Sequence, residues 1–358
     1  MLKVGFDRQA ALTQKPTGLA VVVSSLLTAL QQEDSSIEIV PLTGKISHEL
    51  STAERFWHDR FELPQLANRA GVDVLHQPAF SCPKWRGPVV WTLHDLRPVT
   101  SQERMALPAS TYWKKWLPYS ARFASRIVCT TNHVAEEVKR VLKIDPAKLS
   151  VIGLGLPDGL SEFRSQPAHA ERLRQQYSLT GAYFSCVATI QPIKNIPFLI
   201  RVFAALRRQF KLTHQLVIIG NKSWDYPAVQ RAIQAEGLIE NKDVIITGFV
   251  SDQDKWQLLS ESAALMFPSL NEGYGLPPLE AQALGVPVIA SDAGAMPEVL
   301  GNGAIFASPT DVESWLTAYE RLGRERDDLL KAGRANQQRH DWRKVATEYR
   351  SLYRELGG

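Results

Sequence analysis

Short apolar runs of strand length alternate with helical stretches along the whole chain, and this alternation restarts in the second half. The runs lack a polar residue at every second position, which is typical of parallel strands buried on both faces. They are Leu2–Phe6, Ile37–Pro41, Val72–His76, Val89–Leu93, Ile127–Thr130 and Leu149–Ile152, then Tyr183–Ala188, Leu216–Ile219, Val244–Thr247, Ala264–Phe267 and Val288–Ala290. The pattern predicts two doubly wound α/β domains. A single barrel of alternating strands and helices is the alternative, and the restart counts against it.

Domain organisation follows from the chain length and one loop-like segment. The 358 residues suit two domains of roughly 150 residues, each long enough to bury its own core. Pro157–Pro167 is rich in glycine, serine and proline and is the best candidate for a linker. We therefore expect an N-terminal domain over 1–165, a second domain over 166–340 and a terminal amphipathic helix over 341–358.

Composition excludes several classes of protein. Hydrophobic residues make up 44% and charged residues 22%, which is a globular balance. No apolar run reaches membrane-spanning length, and the N-terminus lacks a secretory pattern. The three cysteines, at 82, 129 and 186, are scattered, so a disulfide framework and a cysteine zinc site are not expected. These features favour a cytoplasmic protein.

The net charge of +4 is too small to indicate nucleic-acid binding. Its placement is uneven, because residues 1–165 contain 20 basic and 16 acidic residues, whereas the remainder of the chain is balanced. We therefore expect no nucleic-acid partner, and the positive excess lies in the N-terminal half.

The densest motif is Asn271-Glu-Gly-Tyr-Gly-Leu-Pro-Pro-Leu-Glu280, which follows an apolar run. Its glycines allow backbone amides to approach a ligand closely, and Pro277 and Pro278 suit the first turn of a helix. A helix N-terminus after a strand is a site for a phosphate or diphosphate. Two carboxylates beside an anion site suit the hydroxyl groups of a sugar.

Glu272 and Glu280 are separated by seven residues, and in this the motif resembles that of retaining glycosyltransferases of the GT-B fold, family 4, also called glycosyl transferases group 1. The resemblance covers nearly the whole chain and is looser in the first half. Similar segments are Trp91–Asp95, Leu149–Ile152, Ala188–Asn195, Val244–Val250, Leu265–Ser269 and Met296–Val299. It implies two Rossmann-like domains that face a cleft, and a C-terminal helix that crosses back to the N-terminal domain.

The resemblance also implies roles for residues of the second half. Glu280 would hold the nucleotide ribose, Glu272 would bond hydroxyls of the transferred sugar, and Lys194 would neutralise the departing diphosphate. No metal or other cofactor is then required. The remaining predicted donor-binding residues are Gly273, Tyr274, Gly275, Leu276, Asn195, Phe249 and Val250.

One departure from the family pattern concerns the cations beside Lys194. The family often has an arginine just before this lysine or about six residues earlier, where this chain has Ile193 and Ala188. Another cation would have to serve, and Lys222 is one candidate. If none does, weaker donor binding is expected.

Three residues of the N-terminal half also follow from the resemblance. His94 and Asp95 end an apolar run, at the edge where such folds place their sites. His94 would face the donor sugar, or else only cap a loop. Asp95 would brace that loop or the acceptor, with a direct catalytic role as the alternative. Gly18 would line the cleft, or simply begin a helix.

Two patterns imitate other sites. Asp252-Gln-Asp254 has the form of a metal-binding DxD motif, but Ser251 precedes it and the spacing favours a helix cap. Gly153-Leu-Gly155 with Gly159 imitates a dinucleotide loop, but the third glycine comes one place late and Pro157 interrupts the helix. A nicotinamide enzyme is therefore not expected.

The segment 104–126 is basic and aromatic, and no acidic residue occurs in it. Such a surface can rest on an anionic membrane. The alternative is a helix that packs its aromatic side chains on the core and leaves its basic side chains in water. Peripheral contact with the inner face of the cytoplasmic membrane would suit a lipid-linked acceptor.

The resemblance implies a retaining hexosyl transfer and leans toward bacterial mannosyltransferases, which makes GDP-mannose the favoured donor. The acceptor would be a saccharide or lipid-linked saccharide in cell-surface polysaccharide synthesis, such as lipopolysaccharide. The alternatives within enzymes are a UDP-sugar transferase and a sucrose- or trehalose-type synthase with a soluble acceptor. A non-catalytic sugar-nucleotide-binding subunit is the alternative from another class.

Overall fold

The computed structural model describes residues 1–12, 17–32, 36–45, 48–100, 109 and 111–358. These residues form two compact units. The first contains Met1–Pro157 and His340–Gly358, and the second contains Asp158–Arg339. The terminal helix therefore belongs to the first unit, which confirms the expected crossing of the C-terminal helix back to the N-terminal domain.

Each unit contains a six-stranded parallel sheet. The strands are β1 Leu2–Asp7, β2 Ile37–Leu42, β3 Val74–Gln77, β4 Val89–Leu93, β5 Arg126–Cys129, β6 Leu149–Val151, β7 Tyr183–Val187, β8 Gln215–Ile219, β9 Val244–Ile246, β10 Ala264–Phe267, β11 Val288–Ser291 and β12 Ile305–Ala307. The first sheet has the order β2-β1-β3-β4-β5-β6 and the second the order β12-β11-β10-β7-β8-β9. The doubly wound α/β prediction is confirmed.

Helices connect the strands. The α-helices are α1 Gly18–Gln31, α2 Thr52–Trp57, α3 Leu63–Ala70, α4 Arg97–Thr100, α5 Leu117–Ser120, α6 Asn132–Leu142, α7 Pro167–Gln176, α8 Ile196–Phe210, α9 Tyr226–Ala235, α10 Asp252–Ser260, α11 Leu276–Ala283, α12 Met296–Leu300, α13 Val312–Gln337 and α14 Trp342–Gly357. Five-residue π-helical turns span His58–Glu62 and Tyr112–Trp116. Short 3₁₀ turns span Gln9–Ala11, Ala121–Phe123, Pro146–Lys148, Pro192–Lys194 and Gly301–Gly303.

The strand order sets the position of a ligand crevice in each sheet. In the second sheet β8 and β9 lie on one side of β7, whereas β11 and β12 lie on the opposite side, beyond β10. The loops after these two adjacent strands therefore diverge, and ligands bind in the gap that this leaves. The first sheet has the same feature between β1 and β3.

The terminal helix α14 is held to the first sheet by a buried polar chain. The Tyr353 hydroxyl is hydrogen-bonded to His76 Nδ1 at 2.6 Å, and His76 Nε2 to Thr92 Oγ1 at 2.9 Å. Thr92 Oγ1 also bonds the Tyr349 hydroxyl at 2.9 Å. Burial lowers the pKa of His76 to about 3, so this histidine stays neutral in the core.

Several sequence predictions at element ends were wrong. β3 begins at Val74 instead of Val72, and β6 ends at Val151 instead of Ile152. The N-cap of α6 is Thr131. Thr131 accepts a hydrogen bond from the amide of Val134 at 3.2 Å, as capping requires. The strand Ile305–Ala307 was not predicted.

Candidate functional site

Lys194 and Glu272 meet at the crevice of the second sheet. Lys194 follows β7 and Glu272 follows β10, and these strands are hydrogen-bonded neighbours. The Lys194 Nζ lies 2.5 Å from Glu272 Oε1, and the two side chains are only 18% and 11% exposed. The predicted anion-binding cation and the predicted sugar-binding carboxylate thus form one ion pair.

The loops that carry this pair are tied together by Asn195. Its backbone is left-handed, with φ of 55°, a conformation that asparagine tolerates better than most residues. Its side-chain Nδ2 donates to the carbonyls of Pro268 at 3.2 Å and Pro309 at 2.8 Å. Asn195 therefore links the loops after β7, β10 and β12, and its predicted contact with the donor remains a prediction.

The glycine motif forms the loop and helix N-terminus that its sequence predicts. Gly275 is the N-cap of α11 with φ of 88°, and a Cβ there would lie 2.2 Å from Met296 Cε. The backbone conformation thus favours glycine at this position, whereas the flexible end of the Met296 side chain could move aside. The Glu272 carbonyl accepts from the amide of Ala295 at 3.0 Å, so a second loop braces the motif.

Glu280 lies in the second turn of α11, since the helix begins at Leu276. The side chain is only 3% exposed. Lys255 Nζ lies 2.9 Å from Oε2, and the Trp256 Nε1 donates to Oε2 at 3.2 Å. Burial raises the pKa of Glu280, while the charge of Lys255 opposes that rise.

Lys255 is a residue that sequence reasoning missed, whereas Lys222 was considered. Lys222 Nζ lies 2.9 Å from Glu240 Oε1 and donates to the Tyr226 hydroxyl at 2.9 Å. Lys255 belongs to none of the motifs considered above, so the sequence held no direct signal for its contact with Glu280.

The segment before α10 behaves as the capping prediction expects. Ser251 Oγ accepts from the amide of Asp254 at 3.1 Å. The Asp254 carboxylate, which the DxD pattern would assign to a metal, accepts from Arg172 Nη2 at 2.6 Å and contacts His169 Nε2 at 2.6 Å. Phe249, next to the cap, is 51% exposed. The base contacts predicted for the loop at 249–250 remain predictions.

His94 and Asp95 follow β4 at the carboxyl edge of the first sheet. His94 Nε2 lies 2.9 Å from the Pro78 carbonyl, which as an acceptor requires the proton on Nε2 and leaves Nδ1 as the accepting nitrogen. Burial lowers the pKa of His94, which favours this neutral form. Asp95 accepts from the amide of Arg97 at 3.0 Å, so it braces the turn that follows.

Gly18 begins α1, and Thr17 caps that helix by accepting from the amide of Ala20 at 3.2 Å. A Cβ at Gly18 would meet nothing within 4 Å, so the first unit itself does not require glycine there. Lys15 and Pro16 of the expected loop lie outside the described residues. A role for Gly18 in the cleft remains a prediction.

A buried charged cluster at the end of β1 was not foreseen. His58 contacts Asp7 Oδ1 through Nε2 at 3.2 Å and Glu62 Oε2 through Nδ1 at 2.9 Å. Burial would lower the pKa of His58, but the neighbouring Asp7 raises it to about 9. Arg55 Nη1 lies 3.9 Å from Asp7 Oδ2 and 3.7 Å from Asp59 Oδ1. No periodic pattern joins these residues, so sequence reasoning missed them.

Asp7, His58 and Asp59 have the spacing of metal ligands, since their ligand atoms lie within 4.8 Å of one another. However, both His58 nitrogens face carboxylates, and Arg55 stands beside both aspartates. The chain's own cations thus pair with this cluster, which ties the last turn of α2 and the π-helical turn after it to the end of β1.

The basic aromatic segment is described only in part, because residues 104–108 and 110 lie outside the described residues. Trp113 and Phe123 pack against the core, as the alternative interpretation expects. Tyr119, by contrast, is 46% exposed, and Lys114 and Lys115 are exposed. Trp113 and Phe123 therefore fit a segment packed on the core, whereas Tyr119, Lys114 and Lys115 fit an exposed basic aromatic surface.

Aromatic residues from a distant segment extend this surface. Phe56 and Trp116 lie edge to face with ring centroids 4.9 Å apart. Trp57 is 62% exposed and Phe61 39% exposed. An apolar groove of about 770 Å³ is lined in part by Phe56, Trp116 and Tyr119. No sequence pattern joins these two segments, because only tertiary packing brings them together.

No helix within the described residues is long and apolar enough to cross a membrane.

Sequence families account for most of the chain. Residues 16–158 match the family Glycosyltransferase Family 4, and residues 170–344 match the family Glycosyl transferases group 1. The resemblance drawn from the glutamate motif is thereby confirmed.

Curated relatives include two mannosyltransferases of Escherichia coli. O-antigen chain mannosyltransferase B is 25% identical over 291 residues, which are 79% of this chain and 74% of that protein. The serotype-specific mannosyltransferase WbdA is 28% identical over 247 residues, which are 68% of this chain and 30% of WbdA. The chain thus spans about three tenths of WbdA.

A solved structure matches the fold over the full length. The crystal structure of Anabaena HepE in complex with UDP and glucose has a TM-score of 0.72 and 17% sequence identity, and covers 99% of this chain and 100% of that chain. At this identity the likeness concerns the fold, and it confirms the expected GT-B architecture.

Proposed function

We propose a mannosyl transfer reaction for this chain, which belongs to the glycosyltransferases of family 4 and group 1. The donor is GDP-mannose, and the acceptor is a hydroxyl of a saccharide or lipid-linked saccharide of a cell-surface polysaccharide. The names of the two Escherichia coli relatives support mannose. The observation that carries the proposal is the Lys194–Glu272 ion pair at the sheet crevice, beside the glycine loop.

In this proposal Lys194 changes its anionic partner when the donor binds. A diphosphate that arrives at the N-terminus of α11 offers Lys194 a stronger anionic partner than Glu272. Lys194 Nζ then bonds a phosphate oxygen, and Glu272 is released to accept hydroxyls of the sugar. As the glycosidic bond breaks, negative charge grows on the phosphate, and Lys194 and the helix N-terminus stabilise it.

Retention of the anomeric configuration follows in this proposal from attack on the same face as the departing phosphate. In the donor complex Glu272 accepts hydroxyls of the sugar, so it is not placed as a covalent nucleophile. The departing phosphate itself takes the proton of the acceptor hydroxyl. Positioning and electrostatics supply most of the acceleration, and no metal or other cofactor is needed.

Thermal unfolding with nucleotides tests the proposal. A ligand at about 100 times its dissociation constant adds about 2.7 kcal/mol, which shifts the midpoint by several degrees. GDP is expected to raise the midpoint with or without magnesium, more than UDP, ADP or dTDP. Glu280→Ala should lose this shift, whereas Glu320→Ala, at an exposed position of α13, should keep it.

Other outcomes of this experiment are equally informative. A larger shift with UDP would replace the GDP donor with a UDP-sugar. A shift with NAD alone, or a shift that requires magnesium, would contradict the proposed donor chemistry. Release of GDP from GDP-mannose on addition of acceptor would exclude a subunit that only binds the nucleotide.

We further propose that the aromatic face of the first unit rests on an anionic membrane. This face consists of Phe56, Trp57, Phe61, Trp116 and Tyr119 with the exposed Lys114, Lys115 and Arg122. Exposed aromatic rings beside cations suit the interface of an anionic bilayer. Such a contact would bring the first unit to a lipid-linked acceptor at the inner face of the membrane.

Sedimentation with phosphatidylglycerol vesicles tests the membrane proposal. Each lysine near an anionic surface contributes about 1 kcal/mol, so the Lys114→Ala/Lys115→Ala variant should bind roughly 30-fold more weakly. The control is Lys139→Ala/Arg140→Ala, which removes two exposed cations of α6 in the same unit. Equal losses in both variants, or equal binding to phosphatidylcholine vesicles, would show that the aromatic face is not the contact.

A further inference from the structure

Both carboxylate oxygens of Glu280 are bonded to helix α10. Lys255 Nζ lies 3.1 Å from Oε1 and 2.9 Å from Oε2, and Trp256 Nε1 donates to Oε2 at 3.2 Å. Glu280 is only 3% exposed. Burial of an ionised carboxylate costs free energy unless hydrogen-bond donors compensate it. The contacts with Lys255 and Trp256 therefore favour the ionised form of Glu280 and fix the orientation of its side chain.

The two donors are themselves fixed by their surroundings. Lys255 Nζ also lies 2.9 Å from Asp252 Oδ1, and its side chain is 17% exposed. Trp256 is 3% exposed and packs edge to face against Phe163, with centroids 5.9 Å apart. These contacts restrict the side-chain conformations of Lys255 and Trp256, so both donors stay in place beside Glu280.

We propose that Lys255 and Trp256 are positioning residues of the nucleotide site, which hold Glu280 as a carboxylate oriented to accept a ribose hydroxyl. A carboxylate offers about four lone-pair sites, and the contacts above use three of them at most. The inference rests on the proposed function, since it assigns a role within the same donor site.

Electrostatics supports this assignment. Burial raises the pKa of Glu280, Lys255 lowers it, and the nearby Asp252 raises it again. On α13, which packs along α11, the guanidinium of Arg334 approaches Gly285 beyond the far end of α11. Without Lys255, burial and Asp252 both favour the protonated acid, which accepts fewer hydrogen bonds from a ribose.

The consequence is a nucleotide affinity that depends more strongly on pH when Lys255 is missing. Hydrogen bonds to a charged group contribute enough that Lys255→Met should weaken ribonucleotide binding roughly tenfold or more at neutral pH. Raising the pH ionises Glu280 again and should recover part of the affinity. Lys255→Arg keeps the charge and should bind with an affinity close to that of the original protein.

Calorimetric titration with GDP, UDP and their 2′,3′-dideoxy counterparts tests the role. The original protein should prefer the ribonucleotides, and Lys255→Met should lose that preference at neutral pH and partly regain it at alkaline pH. Trp256→Phe should show a smaller loss, and Lys331→Met, at an exposed position of α13, should show none. An equal loss for ribo and dideoxy nucleotides, or an unchanged preference in Lys255→Met, would overturn the assignment.

A ligand-free measurement separates this inference from the proposed function. Failure of the original protein to bind any nucleotide would contradict the proposed function itself. Thermal unfolding of Lys255→Met, Glu280→Gln and the double variant needs no nucleotide. The double variant should lose less free energy of unfolding than the two single variants lose together. The reason is that the neutral amide that replaces the Glu280 carboxylate no longer needs a cation. Additive losses would show that Lys255 does not hold Glu280.

Discussion

Lys194→Met is expected to reduce turnover of the nucleotide-sugar about 100- to 1000-fold, which is the usual effect of removing one preorganised group that stabilises transition-state charge. Lys194 Nζ is the cation paired with Glu272 at the crevice, and the phosphate gains charge as it leaves. The loss should appear mainly in kcat, since the interaction strengthens as the bond breaks.

The matched control for this variant is Lys331→Met, which removes an exposed lysine from α13 of the same unit. Steady-state release of nucleoside diphosphate measures both variants, and circular dichroism verifies that they fold. Less than tenfold loss in Lys194→Met would mean that another cation carries the phosphate charge. In that case Lys194 would serve only to hold Glu272.

Tyr353→Ala is expected to lower the free energy of unfolding of the first unit by about 3–5 kcal/mol, the usual cost of truncating a buried aromatic side chain. Tyr353 is fully buried in α14, and its hydroxyl is bonded to His76 Nδ1 at 2.6 Å. Loss of the ring also leaves a cavity beside a neutral histidine.

Urea unfolding followed by circular dichroism measures this change, and a second variant separates its parts. Tyr353→Phe removes only the hydroxyl and should cost about 1–3 kcal/mol, because His76 then lacks a buried partner. Ser351→Ala, at an exposed position of α14, should change little. If Tyr353→Ala were no worse than Ser351→Ala, α14 would not hold the first unit together.

Much of the fold could be predicted because its signals are local. Buried parallel strands such as Ala264–Phe267 appear as compact apolar runs, and the structure has that strand with the same bounds. The cap at Ser251 follows from spacing within four residues. Errors arose at element ends, as at the start of β3 at Val74, because an apolar run does not fix the terminal residue of an element.

The candidate site was predictable only where one motif carries it. The glycine loop and its helix depend on residues within one short segment, so the carboxylates of Glu272 and Glu280 could be placed from spacing. Their partners come from elsewhere, since Lys194 precedes Glu272 by 78 positions and Lys255 precedes Glu280 by 25. Lys194 was foreseen through the family resemblance, and no such resemblance pointed to Lys255.

The sequence by itself determined the two parallel α/β units, the glycine loop at a helix N-terminus and the family. Each of these depends on residues close together in the chain, where periodicity, capping and backbone freedom act. Only the tertiary structure decided which charges meet, including Asp7 with His58 and Glu280 with Lys255. The physical reason is that a buried carboxylate requires a partner within about 3 Å, and strand order and helix packing bring that partner from a distant segment.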